Sequence, residues 1–484
     1  MGEEAGILSG AADWLQIFMA VLYVVNLILG AFILFGQRRE PKVVWSWLLV
    51  LFSLPAAGFL LYLFAGRSMK GSQMFQVKCK EDRKLYGRLE FQADSCCSQN
   101  AYQQIMEYHM ETQGAVCTWD NQVNIFTKGE EKFKDLKEEL SQARQFIHMQ
   151  YYIIKDDQVF QELCPVLEER AKAGVEVRVL YDAMGGRFMP EKKWKRLRAK
   201  GILVESFFPA FLGTFHLKAN YRNHRKLVVI DNKVGYVGGF NIGKEYISKD
   251  PSFGNWRDTH LKLEGSAVLQ LQIRFALDWK YASGENLFLN MKYFASHPAG
   301  GGKVGIQIIS GGPDGGIRQI RDHFIWIFYR ARKTIRIQTP YFIPDDAVLT
   351  ALQTAARCGV DVKLMIPCRP DHPLVYWATW SYMGDLLRAG ARCYLYENGF
   401  LHAKGIMVDG QTSSYGTANM DIRSFELNFE VNAAIYDEGV TKRLEEVFDQ
   451  DLNQCREITL SIYENRTLGI KVKEQLCRLF SPVL

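Results

Sequence analysis

His224-Arg225-Lys226 and His402-Ala403-Lys404 are the same short phrase written twice in a chain of 484 residues. The first runs His224-x-Lys226-x4-Asp231-x6-Gly238-Gly239-Phe240-Asn241, and the second His402-x-Lys404-x4-Asp409-x6-Gly416-Thr417-Ala418-Asn419. One His-x-Lys-x4-Asp is expected by chance in only about a few per cent of chains this long, and two extended copies are far rarer. Read as a β-strand, each phrase sends imidazole and ammonium to one face, because residues two apart point the same way. Asp231-Asn232-Lys233 and Asp409-Gly410 then read as hairpin turns, with each Gly/Asn segment returning on the neighbouring strand. Two copies face to face would give a phosphoryl group one His on each side, with Lys226, Lys404, Asn241 and Asn419 around its non-bridging oxygens. A neutral imidazole is a competent nucleophile towards phosphorus and an imidazolium a competent acid, so two His residues can share one double displacement. No metal is required, and no ligand cluster is visible.

A working His needs a partner that fixes its tautomer, and a carboxylate on the outer ring nitrogen does so. Asp258, in Trp256-Arg257-Asp258-Thr259-His260, and Glu430, in Phe425-Glu426-Leu427-Asn428-Phe429-Glu430, lie downstream of the two motifs at comparable distances. Asp231 and Asp409 complete the motif signature, but a turn position directly after a buried strand points to a role in holding the motif's shape. His109, His148, His297 and His323 lack motif context and read as structural or surface groups. His216 and His260 flank candidate site loops.

The paired motif resembles that of the phospholipase D superfamily, and the phrases around it resemble the bacterial cardiolipin synthases. Those phrases are Leu61-Tyr62-Leu63-Phe64-Ala65-Gly66, Gln338-Thr339-Pro340-Tyr341-Phe342-Ile343-Pro344-Asp345, Gly399-Phe400-Leu401, and Ser481-Pro482-Val483-Leu484 at the end. Thr417 stands where the family more often has Gly or Ser, and keeps a hydroxyl. The resemblance implies a cardiolipin synthase joining two phosphatidylglycerol molecules and releasing glycerol, with phosphatidylglycerol and cardiolipin as its membrane partners and no cofactor. It implies His224 as the nucleophile that forms a phosphohistidine and His402 as the acid and then base, with Lys226, Asp231, Lys404 and Asp409 completing the motifs. It also places His-orienting acids in the neighbourhoods of Asp258 and Glu430. The residues themselves do not force this order of the two His over its reverse. A phospholipase D hydrolase or headgroup-exchange enzyme, a superfamily nuclease and a non-enzymatic membrane scaffold are the rival readings. Two intact motifs argue against a scaffold.

From Trp14 to Gln37 no residue is charged, and none again from Val43 to Gly66. At about 1.5 Å per helical residue, each stretch is long enough for a hydrocarbon core of about 30 Å. Glu3 and Glu4 precede the first stretch and Gln37-Arg38-Arg39 follows it without a small-x-small site, so it reads as a retained span rather than a signal peptide. Asn26 and Pro55 are tolerable in helices that pack together. A membrane hairpin argues against nucleic acid as partner. In the outgoing flank Arg67, Lys70, Lys78, Lys80, Arg83 and Lys84 outweigh Arg38, Arg39 and Lys42 of the turn, which places the catalytic region in the cytosol. Together with the resemblance, the two spans imply a multi-pass protein of the bacterial cell membrane.

The net charge is +6, with basic residues dense around Trp194 at Lys192, Lys193, Lys195, Arg196, Arg198 and Lys200. That run reads either as a solvated helix face or as an attractor of anionic headgroups. The ten cysteines, Cys96-Cys97 among them, form no Cys-x2-Cys and read as mostly reduced, buried thiols. Phe207 to Phe215 is aromatic and loop-like, with bilayer contact as one reading, and Leu374 to Met383 reads as core helix.

Beyond the motifs, Ala143 to Gln150 answers Ala331 to Gln338, Asp156-Asp157 answers Asp345-Asp346, and Gly174 to Val179 answers Gly359 to Leu364. Each half reads helix, strand, helix, strand, motif hairpin. The expected fold is therefore α/β: two phospholipase D-like domains with mixed sheets packed about a pseudo-twofold, preceded by a two-helix transmembrane hairpin. The expected boundaries are 1–67 for the hairpin (spans about 14–36 and 43–65), 68–297 for the first domain and 298–484 for the second, with Pro298-Ala299-Gly300-Gly301-Gly302 as linker. The oligomeric state stays open, an oligomer being possible.

Overall fold

The computed structural model describes residues 2–36, 41–62, 78, 101–208, 221–295, 297 and 301–481. Several expectations lie outside them: residues 37–40 of the turn, the basic flank other than Lys78, Cys96-Cys97, residues 209–215 of the aromatic stretch, His216, residues 298–300 of the linker and the last three residues. The described residues fall into two compact units.

In the N-terminal unit a helix spans Gly2–Phe35, and its segment Gln16–Phe35 is long and apolar enough to cross a membrane. The second apolar stretch is not one continuous helix, but helices Pro41–Ser53 and Pro55–Leu61. The break has a local cause. Pro55 has no N–H to give the Leu51 carbonyl four residues back. Asn26 of the first helix supplies the missing donor: its Nδ2 reaches Leu51 O at 3.1 Å and Pro55 O at 3.0 Å. Asn26 and Pro55 thus answer each other, beside an apolar contact of Ile33, Val44, Leu51 and Tyr62.

The second unit is a mixed α/β body. Its strands are β1 (Cys117–Phe126), β2 (Phe146–Tyr151), β3 (Glu176–Asp182), β4 (Leu203–Phe207), β5 (Arg222–Asn223), β6 (Leu227–Ile230), β7 (Val234–Gly238), β8 (Trp256–Arg257) and β9 (His260–Glu264). The second half adds β10 (Val304–Gly311), β11 (Thr334–Gln338), β12 (Phe342–Ile343), β13 (Asp361–Pro367), β14 (Arg392–Tyr396), β15 (Phe400–Leu401), β16 (Gly405–Val408), β17 (Thr412–Gly416), β18 (Met420–Asp421), β19 (Asn428–Ile435) and β20 (Cys455–Ile458). One sheet runs through both halves. From one edge it reads β4-β3-β2-β6-β7-β9-β1, and from the other β20-β14-β13-β11-β16-β17-β19-β10, with β1 and β10 paired antiparallel where they meet. Apart from the extra edge strand β20, the two orders are the same.

In each half the strands β2-β3-β4 and β11-β13-β14 are parallel, as helical crossovers require, while the motif hairpins β6-β7 and β16-β17 are antiparallel. Asp157 and Asp345 cap the equivalent helices Gln158–Lys172 and Asp346–Arg357, so the acidic pairs correspond one residue out from the expected alignment. Each half has its own core, around Leu136, Leu163, Val177 and Trp194 in the first and Leu352, Leu364, Ala378 and Leu386 in the second. Trp194 is buried with Leu197 on helix Glu191–Ala199, whereas Lys193, Arg196 and Arg198 pair with Asp156, Glu168 and Glu191. Of the seven described cysteines, all free, three are buried, three half-buried and Cys358 exposed, which corrects the expectation of mostly buried thiols.

Candidate active site

The motif residues 224–226 and 402–404 do not lie inside the hairpin strands, as a strand reading of the whole phrase supposed. Each triplet links a two-residue strand to its hairpin, and each is held there by the other half. Strand β5 pairs in parallel with β19, and the His224 N–H continues this pairing by donating to Phe429 O at 2.9 Å. Strand β15 pairs in parallel with β8, and the His402 N–H donates to Arg257 O at 2.7 Å. The residues that follow those two acceptors are Glu430 and Asp258.

The acids are therefore crossed. His224 Nδ1 lies 3.0 Å from both carboxylate oxygens of Glu430 in the second half, and His402 Nδ1 lies 2.6 Å from Asp258 Oδ2 in the first. The imidazoles keep 12% and 10% of their side-chain surface while both acids keep none, so a substrate reaches the rings and not the carboxylates. The two lysines repeat one geometry: Lys226 Nζ donates to His224 O at 2.7 Å and Lys404 Nζ to His402 O at 2.6 Å. Lys404 Nζ also lies over the edge of the His402 ring, 2.9 Å from Nδ1 and 3.3 Å from Nε2.

Burial pushes the His224 and His402 imidazoles down to about 4, with Glu430 and Asp258 opposing it only in part. Burial would raise Glu430 and Asp258, but His224 with Lys226, and Lys404 with His402, outweigh it and hold both carboxyls below their ordinary values. With ionised acids facing Nδ1, the ring proton resides on Nδ1 and Nε2 carries the lone pair. Burial also lowers both lysines, Lys226 to about 7.

Asp231 and Asp409 face away from this chemistry. Asp231 accepts from the backbone N–H groups of Arg144, Gln145 and Phe146 at 2.7–2.8 Å, and Asp409 from those of Arg332, Lys333 and Thr334 at 2.7–2.8 Å. Both have positive φ, 53° and 55°, followed by Asn232 at 55° and Gly410 at 67°, a left-handed pair opening each of the connections 231–233 and 409–411. Asn241 is engaged by the Ile153 N–H (3.1 Å) and donates to Tyr246 Oη (2.8 Å). Asn419 donates to Asp421 Oδ2 at 3.2 Å.

Four further groups belong to the site. The Tyr152 ring stands 5.2 Å from that of His224 and 5.6 Å from Lys226 Nζ, and Trp256 stands 5.0 Å from His402. Burial raises Asp421 to about 6. Gly239 is obligatory, since a Cβ there would lie 1.9 Å from Asp258 Oδ1. An aromatic soon after Gln150 and again after Gln338 was the readable signal for Tyr152; the others leave none. His148 and His323 are buried structural groups, His148 donating through Nδ1 to Gln272 Oε1 at 2.9 Å and His323 meeting His109 at 3.2 Å. Among the described residues no group of three or more His, Cys, Asp and Glu side chains is arranged to hold a metal.

Residues 136–252 and 325–452 match the family described as "Cardiolipin synthase, PLD-like domain", and residues 20–67 match "Phospholipase D-nuclease N-terminal". The chain is 46% identical to the major cardiolipin synthase ClsA of Bacillus subtilis, covering 97% of this chain and 99% of that one. It is 44% identical to a cardiolipin synthase of Oceanobacillus iheyensis, again over 97% and 99%. The crystal structure of phosphatidylserine synthase from Haemophilus influenzae shares the fold, with a TM-score of 0.59 at 15% identity, covering 75% of this chain and 95% of that one. With a matching model over half its length and relatives matched almost end to end, the chain belongs to the cardiolipin synthase family of phospholipase D-like proteins.

Proposed function

We propose that this protein is a phosphatidyltransferase that makes cardiolipin and glycerol from two molecules of phosphatidylglycerol. The observation that carries the reading is the crossed pair of imidazoles, each with a buried carboxylate on Nδ1, backed by two lysines, in a chain alike from end to end to cardiolipin synthases.

His224 Nε2 attacks the donor phosphorus while His402 protonates the departing glycerol oxygen, leaving a phosphatidyl group on His224. His402, now neutral, removes the proton from the free hydroxyl of a second phosphatidylglycerol. That oxygen displaces His224, and cardiolipin leaves. Glu430 stabilises the charge that His224 acquires, and Asp258 does the same for His402. A neutral His224 suits the first step directly. His402 has to be protonated, and the phosphodiester anion arriving beside it supplies the negative charge that raises its pKa. Lys226 and Lys404, with Asn241 and Asn419, stabilise the non-bridging oxygens; Asp231 and Asp409 hold the motif turns.

The matched strand orders support two domains about a pseudo-twofold, 68–297 and 298–484. The apolar stretches and the N-terminal family match support a hairpin at 1–67, its returning span broken at Pro55, that anchors the protein in the bacterial cell membrane. The balance of basic residues supports a cytosolic catalytic region. Purified protein incubated with phosphatidylglycerol vesicles is expected to yield cardiolipin and free glycerol by mass spectrometry. Phosphatidic acid without cardiolipin would make water the acceptor and the protein a hydrolase. Alkaline washing should leave the chain in membranes, and exposed Cys358 should be labelled by an impermeant maleimide only after the cells are opened.

A further inference from the structure

Behind each His–acid pair lies a buried guanidinium that the two-His chemistry does not use. Arg225, the middle residue of the first motif, donates Nε to Glu430 O at 3.1 Å and Nη1 to Asp278 Oδ1 at 2.7 Å. Asp278, on helix Ala267–Ser283, also accepts from Gln150 Nε2 of β2 at 2.8 Å. In the second half Arg257 donates Nη1 to Asp258 O, and its Nε lies 2.9 Å from Asp451 Oδ1. Asp451, on helix Glu438–Leu452, accepts from Gln338 Nε2 of β11 at 2.7 Å. In both halves one arginine therefore joins the backbone carbonyl of the His-orienting acid to an Asp–Gln pair, and Gln150 and Gln338 are equivalent positions of the repeat.

The arginines themselves are not equivalent in the chain. The repeat places Ala403 opposite Arg225, and β5-β19 and β15-β8 place Phe429 opposite Arg257. Around His224 the motif strand gives Arg225 and the facing strand Phe429, whose ring lies 5.2 Å from the guanidinium. Around His402 the motif strand gives Ala403 and the facing strand gives Arg257. One large cationic group is present on each side, entering from opposite strands. A group kept in space while its chain position changes is being held for what it touches, and the shared contacts are the acid's carbonyl and the Asp–Gln pair.

We propose that Arg225 and Arg257 are positioning residues of one kind, each pinning the backbone of the acid that orients a motif His, Glu430 for His224 and Asp258 for His402, against a buried Asp–Gln pair. The assignment rests on the two-His reading above. A displacement of about 1 Å in such a constellation can cost about 10²-fold in rate, and a lysine cannot span two acceptors as the planar fork does.

Four full-length proteins decide it: wild type, Arg257→Lys, Arg257→Phe, and Arg257→Phe with Ala403→Arg. The last rebuilds around His402 the strand arrangement found around His224. Two readouts are taken, kcat and KM for cardiolipin formation, and the downfield proton resonance of the His402–Asp258 bond in histidine-labelled protein, which does not depend on the substrate being right. Arg257→Lys, which keeps a buried cation for Asp451, should lose about 10–100-fold in kcat with KM within about threefold, and should broaden or move the resonance. The double variant should regain at least about tenfold over Arg257→Phe and recover the signal. Wild-type kcat and an unmoved resonance in folded Arg257→Lys would overturn the proposal, as would a folded double variant no better than Arg257→Phe in either readout. If wild type makes no cardiolipin yet the resonance follows the expected order, the functional reading fails and the positioning role stands.

Discussion

Crossing the acids changes what each side chain should do when mutated. Asp258 lies in the first half but faces His402, so Asp258→Asn should behave like a defect of the second motif. An amide on Nδ1 favours the wrong tautomer and cannot stabilise the imidazolium, so either Asp258→Asn or Glu430→Gln should cost about 10²–10⁴-fold in kcat. They should fail at different stages. A donor whose leaving group needs no protonation should still label His224 in His402→Ala and in Asp258→Asn, but not in His224→Ala or Glu430→Gln. Peptide mapping reads the outcome, and label on His402 instead would reverse the two roles. Lys226 supplies a pH test whose sign can be worked out. Burial lowers it to about 7, so it is charged below that pH and loses its charge as pH rises through it. In the free enzyme His402, lowered to about 4, already sets a decline with rising pH, and kcat/KM for an anionic donor should therefore fall more steeply above about pH 7. Lys226→Arg, which keeps its charge, should flatten that alkaline limb even if geometry lowers the whole profile; a limb unmoved by the substitution would exclude Lys226 as its origin. The motif residues and both acids were legible because they repeat. The crossing was not, because Asp258 and Glu430 stand at similar distances after their own motifs and only the β5-β19 and β8-β15 pairings send each across.

At the scale of elements, the same repeat made the hairpins and parallel units readable, while positions with no twin stayed silent. Asp231-Asn232 and Asp409-Gly410 announced turns, since Asp, Asn and Gly tolerate the left-handed backbone. Their carboxylates then cap the entry to β2 and β11, a long-range contact that local patterning cannot show. Asp409→Ala should lose these bonds and a residue suited to positive φ, costing on the order of 2 kcal/mol in unfolding. Loss of activity without loss of stability would give Asp409 a direct catalytic part. Gly239 is silent in another way: its need for no side chain comes from Asp258, nineteen residues on. Gly239→Ala should displace that carboxylate and depress turnover far more than Thr417→Ala at the equivalent repeat position. In the N-terminal helices Asn26 and Pro55 looked like separate oddities, and the structure makes them one device. Asn26→Leu should leave the Leu51 carbonyl unsatisfied and destabilise the helix pair by about 1–3 kcal/mol. Asn26→Leu with Pro55→Ala should recover part of that loss, because alanine restores the helical donor. Resistance to detergent-induced unfolding checks both, and the absence of rescue would separate the two residues again.

Over the whole molecule, duplication produces a catalytic unit that neither half contains. Each His takes its fixed proton partner from the other half, and the sheet continues through β1 and β10 rather than stopping at a domain edge. The two-half organisation could be read from the sequence, but a single continuous sheet could not, because β1 and β10 lie outside the repeated phrases. Burial on both sides of such a sheet also sets the response to acid. His148 and His323 are lowered by burial to about 3, His224 and His402 to about 4, and His109 and His260 well below their ordinary value. A histidine whose folded pKa is depressed stays neutral while the unfolded chain, with values near 6.5, takes up protons. Between about pH 6.5 and 4 the unfolded state thus binds more protons, and stability falls as pH falls, by up to about 1.4 kcal/mol per pH unit for each such group. Asp258 and Glu430 are themselves held below their ordinary values, so their contribution is intact above about pH 4 and adds its own loss only below that. The melting temperature should therefore drop steeply from pH 6.5 downward, well before the carboxylates titrate. His148→Gln should make the slope shallower by about one proton's worth while leaving the two motif histidines in place. A melting temperature flat from pH 7 to 4.5 would mean that these rings take up protons inside the fold, and that burial does not hold His224 neutral for its attack on phosphorus.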